Sequence, residues 1–130
     1  MGAFSLKKTE RIAKRADFEK LWRRGKKIHG NYFVVAYCPN RLEKSRLGVT
    51  VSKKVGCAVV RNRIKRLIRE YFRLHKDVVH GTFDMNVIAR AGAGDLSNTE
   101  LNQALEGFLF EISENRSEDR KSEGGILGTH

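Results

Sequence analysis

No stretch of this chain approaches the ~20 consecutive apolar residues that a membrane-spanning helix requires, so no membrane partner is expected. The basic segment Met1 to Thr9 lacks an apolar stretch and a small-residue cleavage site; no secretory signal is expected, and cytoplasmic residence follows. Cysteine is scarce. Cys38 and Cys57 form neither a CxxC pair nor a Cys/His ligand spacing, and are expected to be reduced thiols acting as small apolar fillers. His29, His75, His80 and His130 show no metal spacing either. Acids are scarce where it matters: residues 1–75 hold only Glu10, Asp17, Glu19, Glu43 and Glu70, and none builds a convincing metal-binding carboxylate cluster of the kind phosphoryl chemistry leans on. There is no P-loop, no nucleophile elbow and no internal repeat. The chain is therefore expected to have no catalytic side chain, no metal site of its own and no small-molecule substrate.

What is abundant is positive charge. The 130 residues amount to one domain, and 40% hydrophobic content suffices for one modest core. Residues 1–75 carry 21 Lys+Arg against 5 Asp+Glu, whereas residues 76–130 carry 5 against 10, within a total of +11. Solubility alone gives little reason for such segregation, because crowded cations repel one another in a compact state. A polyanionic partner relieves that repulsion through counterion release. A membrane surface would need an amphipathic helix with a spare apolar face, and here the apolar faces are needed for the core.

Residues 1–14 read as an extended or loosely turned basic arm. From Arg15 to Arg24, Phe18, Leu21 and Trp22 share one helix face, and Gly25 ends the helix. Lys27 to Cys38, with Ile28, Tyr32, Phe33, Val34, Val35 and Tyr37, reads as a strand, and Pro39-Asn40 turns the chain. Arg46 to Ser52 reads as a second strand and a hairpin partner of the first. Ser52 to Gly56 is a basic turn. Ala58 to His75 is the strongest helix: Ile64, Leu67, Ile68, Tyr71, Phe72 and Leu74 lie on one arc, and Arg61, Lys65, Arg66, Arg69 and Arg73, with Asn62, on the other. Asp84 to Ala91 reads as a third strand, and Leu96 to Ile112 as a closing helix capped by Ser97 or Asn98. The expected fold class is α+β, a single domain over 1–114 in the order α-β-β-α-β-α, with a small mixed sheet covered by helices; 115–130 is expected to be a disordered tail.

Arg61, Lys65 and Arg69, spaced i, i+4, i+8, form a row able to span successive phosphates, where guanidinium forks pair bidentately and lysine adds a point charge. Asn62 both donates and accepts, which suits a ribose hydroxyl, a phosphate or a hydrated ion. A solvated helix face would explain this row taken alone. The Lys53-Lys54 turn and the Arg23-Arg24/Lys26-Lys27 cluster weigh against that, since three elements then converge in charge. Aromatic residues beside a basic groove suit single-stranded RNA, whose bases stack on rings at ~1–3 kcal/mol each. Phe33 reads as core, while Phe18 and Trp22 fit a core position and a stacking surface equally well.

Ser52-Lys53-Lys54-Val55-Gly56, followed by Ala58-Val59-Val60-Arg61-Asn62-Arg63-Ile64-Lys65-Arg66-Leu67-Ile68-Arg69-Glu70, closely resembles the signature of the bacterial ribonuclease P protein component. Ala16-Asp17-Phe18 through Gly25, then Arg46-Leu47-Gly48, match the same family in order and spacing, and the likeness runs from about Leu6 to Leu109. The resemblance implies a ribosomal protein S5 domain 2-like fold with a left-handed βαβ crossover. It implies a ribonucleoprotein endoribonuclease in which a catalytic RNA subunit, with the Mg2+ it mainly binds, removes the 5′ leader of precursor tRNA. The protein would grip that leader in a groove between the sheet and the central helix, carried over to Phe18, Trp22, Val34 and Ala36. RNA would also be held by Arg61, Asn62 and Arg63, continued by Lys65, Arg66 and Arg69, with Lys53 and Lys54 in the adjoining loop. Some relatives carry a second ring where Ala36 lies, and Trp22 stands where a smaller residue is common. The rivals are a non-enzymatic RNA-binding module, such as a ribosomal protein or RNA chaperone, and an autonomous nuclease, against which the missing acid/base cluster argues.

Overall fold

The computed structural model describes residues 8–75 and 81–129, with side chains through Glu114. Residues 1–7 of the arm lie outside the described residues; over 115–129, where a disordered tail was expected, only the backbone is described, and it continues the closing helix beyond its expected end at Ile112. The elements are α1 (Arg15–Arg24), β1 (Lys26–His29), β2 (Phe33–Pro39), β3 (Arg46–Val51), α2 (Ala58–His75), β4 (Phe83–Ala89) and α3 (Asn98–Thr129), with short 3-10 turns at Lys8–Glu10, Lys53–Val55 and Ala91–Asp95. The α+β class and mixed sheet hold, with two corrections. The expected strand from Lys27 to Cys38 is two strands, broken at Gly30-Asn31-Tyr32, where Gly30 N–H donates to the Phe33 carbonyl and closes an antiparallel turn. The expected hairpin of β2 with β3 does not exist.

The sheet order is β1-β2-β4-β3. β4 lies between β2 and β3, antiparallel to the first and parallel to the second, and α2 makes the crossover from β3 to β4. Local alternation cannot reveal this arrangement. Its physical reason is that β2 and β4 carry buried residues on both faces and so belong at the centre, where each pairs on two sides. The N-terminal arm is also more ordered than expected from Lys8 onward. Ile12 is buried, its N–H donates to the Leu47 carbonyl, and Arg11 bridges to Leu47, so this segment covers part of the β3 edge.

The two sheet faces differ. Phe33, Val35 and Tyr37 of β2, Leu47 and Val51 of β3, and Met85, Val87 and Ala89 of β4 point to the side covered by α2 and α3. There Ile64, Ile68 and Phe72 from α2 meet Leu101, Leu105, Phe108, Leu109 and Ile112 from α3. Truncating any one of these large aliphatic residues to alanine would cost about 2–5 kcal/mol, which makes this face the source of stability. Leu74, placed with the apolar arc, is instead exposed, and Leu67 and Tyr71 are half-buried, so the core stripe of α2 is narrower than its apolar arc. α3 is capped by Ser97: its Oγ accepts from the Glu100 N–H at 3.1 Å while Glu100 Oε1 accepts from the Ser97 N–H at 3.0 Å, a reciprocal capping box. The other face carries only a small second core of Ile12, Leu21 and Ala36, with Phe18 and Cys38 packed against it beneath α1.

Candidate nucleic-acid interface

The sheet register sorts the α1 side into three cross-strand rows. Cys38, Asp84 and Arg46 form one, Lys27, Ala36, Asn86 and Gly48 the next, and His29, Val34, Ile88 and Thr50 the third. α1 crosses the first two. The third is only partly covered: Val34 and Ile88 are half-buried, and His29 and Thr50 are exposed. Tyr32, with an exposed ring, and Arg90, whose Nη1 donates to the Gly30 carbonyl, lie beyond that row. The outcome is a half-open sheet face walled on one side by Phe18 and Trp22 of α1.

Of the four residues assigned to the leader groove, three share this face in distinct roles. Phe18 is half-buried and its ring packs against Gly48; a Cβ at Gly48 would collide with that ring. Val34 belongs to the half-open row. Ala36, at 1% exposure, is floor beneath α1 and offers no contact surface of its own. Trp22 stands at the rim, 45% exposed, with Lys27 Nζ 4.4 Å above its ring centroid. That cation lies over one face of a ring that is otherwise largely open to solvent. The groove also differs in its walls from the expected one: α2 shares the opposite sheet face with α3, so α1 and the sheet bound it, and α2 contributes only an edge.

That edge is basic. Arg61, Lys65 and Arg69 are half-buried and Asn62 and Arg66 exposed on the flank of α2 turned away from α3. The Arg69 guanidinium is held below its ordinary pKa, first by burial and then by Arg11, whose closeness joins the N-terminal segment to the row. Lys53 and Lys54, both exposed, sit in the 3-10 turn just before α2, anchored by buried Val55. Arg63 does not join them. It projects from the opposite flank, where Nη2 donates to the Leu96 carbonyl at 2.9 Å and to Asn98 Oδ1 at 2.6 Å, tying α2 to the start of α3. The Arg61-Asn62-Arg63 triplet thus splits: half-buried Arg61 and exposed Asn62 lie on the cationic flank, and Arg63 is a strut to α3. Cys57, expected to be a filler, is instead exposed at the head of α2, where the backbone N–H groups of Val60 and Val59 lower its pKa. Cys38 is half-buried in the second core as expected.

Lys27, expected only as part of a basic cluster, and Tyr32, expected only to alternate with Val34 and Ala36, both border this face, as do His29, Thr50, Ile88 and Arg90, which the sequence did not single out. Lys27 and His29 arrive through the β1–β2 pairing, Thr50 and Ile88 through β4. Among the described residues, no group of three or more His, Cys, Asp or Glu side chains could hold a metal ion, and no helix is long and apolar enough to cross a membrane.

Beneath the other end of α1, Arg46 Nε and Nη2 fork onto Asp84 Oδ1 and Oδ2 at 2.9 and 2.7 Å, and Asn40 Nδ2 donates to the same Oδ1 at 2.7 Å. Burial alone would raise the Asp84 pKa, but the Arg46 and Asn40 hydrogen bonds and the charge of Arg46 outweigh it and hold the carboxyl below its usual value. A depressed carboxylate stabilises the fold above its unfolded pKa, near 4, and that contribution is lost as pH falls through the folded value. Asp84→Asn should therefore lower the melting temperature at neutral pH, and the gap from the parent protein should close below about pH 4. Thermal melts from pH 7 to pH 3 check this; a gap independent of pH would contradict it.

An α+β domain with a cationic helix edge running beside a half-open, aromatic-walled sheet face defines a class of small basic proteins built to lie against a polyanion. The comparisons narrow that class. The family model for ribonuclease P matches residues 6–113. The chain is 49% identical over 110 residues to the ribonuclease P protein component of Desulforapulum autotrophicum, covering 85% of this chain and 93% of that protein. It is 45% identical over 121 residues to that of Desulfosudis oleivorans, covering 93% and 100%. Among solved structures, the Staphylococcus aureus RNase P protein superposes with a TM-score of 0.73 at 41% identity, covering 80% of this chain and 94% of that one. The Thermotoga maritima RNase P protein gives 0.72 at 36%, covering 79% and 97%. The chain belongs to the ribonuclease P protein family: it is a protein subunit of ribonuclease P and serves tRNA processing.

Proposed function

We propose that the chain partners a catalytic RNA in the cytoplasm and grips the 5′ leader of precursor tRNA on its half-open sheet face. The observation that carries this reading is adjacency at β3: Phe18 packs on Gly48 of that strand, α2 packs against it from the other face, and Arg11 beside its edge lies close to Arg69, so one strand of RNA can lie with phosphates on the cationic edge of α2 and bases on the face walled by Phe18 and Trp22. Arg61, Lys65, Arg66 and Arg69, with Lys53 and Lys54, supply the electrostatic grip, and Asn62 bonds a ribose or phosphate. Phe18, Trp22 and Val34 offer the stacking and apolar surface, with Ala36 as floor. Bases need no unique identity here, because stacking accepts any base.

A magnesium ion does not fit the protein's own row, which repels a dication and offers only the oxygen of Asn62. We assign Mg2+ to the RNA, which performs the endonucleolytic hydrolysis and leaves a 5′-phosphate on the tRNA. The protein's side chains bind, orient and neutralise. Reconstitution tests this. The purified chain alone should leave precursor tRNA intact, and should activate cleavage when a catalytic RNA of the family is added at low-millimolar magnesium. Cleavage by the chain alone would establish an autonomous nuclease, and RNA binding without activation would establish a simple RNA-binding module.

A further inference from the structure

α1 carries both aromatic residues of the proposed groove, yet it is weakly anchored. It has ten residues, and only Leu21 is fully buried. The second core beneath it is small. On the flank opposite Phe18 and Trp22, α1 overhangs an open cavity of about 630 Å³ lined by Lys20, Arg24, Asn40, Leu42 and Arg46 among others, so packing does not fix the roll of the helix on that side. A ten-residue helix held by two apolar contacts needs a third point of attachment to keep one orientation.

The third point is electrostatic. Arg46 cannot move freely, because Asp84 holds two of its nitrogens and Asn40 braces Asp84. Its remaining Nη1 lies 3.6 Å from Asp17 Oδ2, on the residue immediately before Phe18. Arg46 is 23% exposed at its side chain and Asp17 34%, so the contact is partly shielded from water and salt. Two residues along β3 from Arg46 is Gly48, on the same sheet face, and Gly48 is the platform for the Phe18 ring. The neighbours Arg46/Gly48 on the strand thus face the neighbours Asp17/Phe18 on the helix.

We infer that Arg46 and Asp17 are positioning residues for leader recognition: Arg46, locked to the sheet by Asp84, holds α1 at the roll that lays the Phe18 ring on Gly48. The inference rests on the proposed leader groove. Neither residue need touch RNA; they act through the ring.

Asp17→Asn is the informative variant, because it removes the α1 half of the contact and leaves the Arg46–Asp84 fork intact. With holoenzyme reconstituted from the full chain and a catalytic RNA, the readout is the ratio of precursor-tRNA to mature-tRNA affinity. The expected result is a loss of about two- to fivefold in that ratio, the scale of a partly exposed ion pair, with affinity for the catalytic RNA unchanged and the melting temperature lowered by at most a few degrees. In a Phe18→Ala background the same substitution should cause no further loss, since the ring through which it acts is gone. An unchanged ratio for Asp17→Asn, where Phe18→Ala does lower it, would overturn the inference alone. So would losses that multiply, a loss shared equally by precursor and mature tRNA, or tighter binding from the removed negative charge. If Phe18→Ala itself leaves the ratio unchanged, the leader groove falls and this inference with it.

Discussion

Replacing Arg61, Lys65 and Arg69 together with alanine should weaken binding to the catalytic RNA by about a hundredfold in 0.1 M salt. The size follows from counterion release. Each phosphate neutralised contributes ~0.7–0.9 to the slope of log affinity against log salt, hence close to a decade per contact at that concentration. The slope itself should fall by about 2 to 3, a signature that a folding defect does not produce. Raising magnesium should restore part of the cleavage activity, because divalent ions neutralise the same phosphates. The parent protein, if it meets about six phosphates, should lose roughly three decades of affinity between 50 and 200 mM salt. Arg63→Ala is the internal control: it should lower stability by releasing α3 and leave the salt slope alone, since its guanidinium already bonds Leu96 and Asn98. Filter binding across a salt series decides the matter. An unaltered slope in the triple variant would mean the row faces only water.

Gly48→Val should displace the Phe18 ring and remove most of the preference for precursor over mature tRNA, a loss of roughly tenfold on the scale of one lost base stack. Valine is a good strand residue, so β3 itself tolerates the change. The nearest atoms a new Cβ would meet are those of the Phe18 ring. Overpacking of this kind costs about 1–3 kcal/mol, visible as a lower melting temperature. Combining it with Phe18→Ala should recover stability without recovering the preference. That split separates a packing defect from a lost contact. A Gly48→Val protein with parental stability and discrimination would show that the ring does not depend on this platform.

The parts of this architecture that were legible in the sequence are those governed by local physics. α2 lies where its 3.6-residue periodicity places it, with Ile64, Ile68 and Phe72 inward. Gly25 ends α1 and Ser97 caps α3, because turn and cap chemistry is decided within four residues. The illegible parts depend on partners far along the chain. Nothing near Arg46 or Val34 announces that β4, some fifty residues from Val34, would separate β2 from β3. Arg63 looks like its neighbours Arg61 and Lys65 until its acceptors, 33 and 35 residues away, are seen. Ala36 reads as a small groove residue, but its burial under α1 is a property of where the helix lands. Gly30-Asn31 is different: it carries an ordinary local turn signal, which the β-rich residues on either side mask in the sequence but not in the fold.

The strand order has a consequence for synthesis. Among the described strands, β4 is made last and fills the gap between two earlier ones. Until it emerges, β2 and β3 each expose an unpaired inner edge, on the segment holding 21 of the 26 basic residues. The nascent polypeptide therefore passes through a sticky, incompletely zipped and highly cationic stage while still beside ribosomal RNA, and closes only when a short late segment slots home.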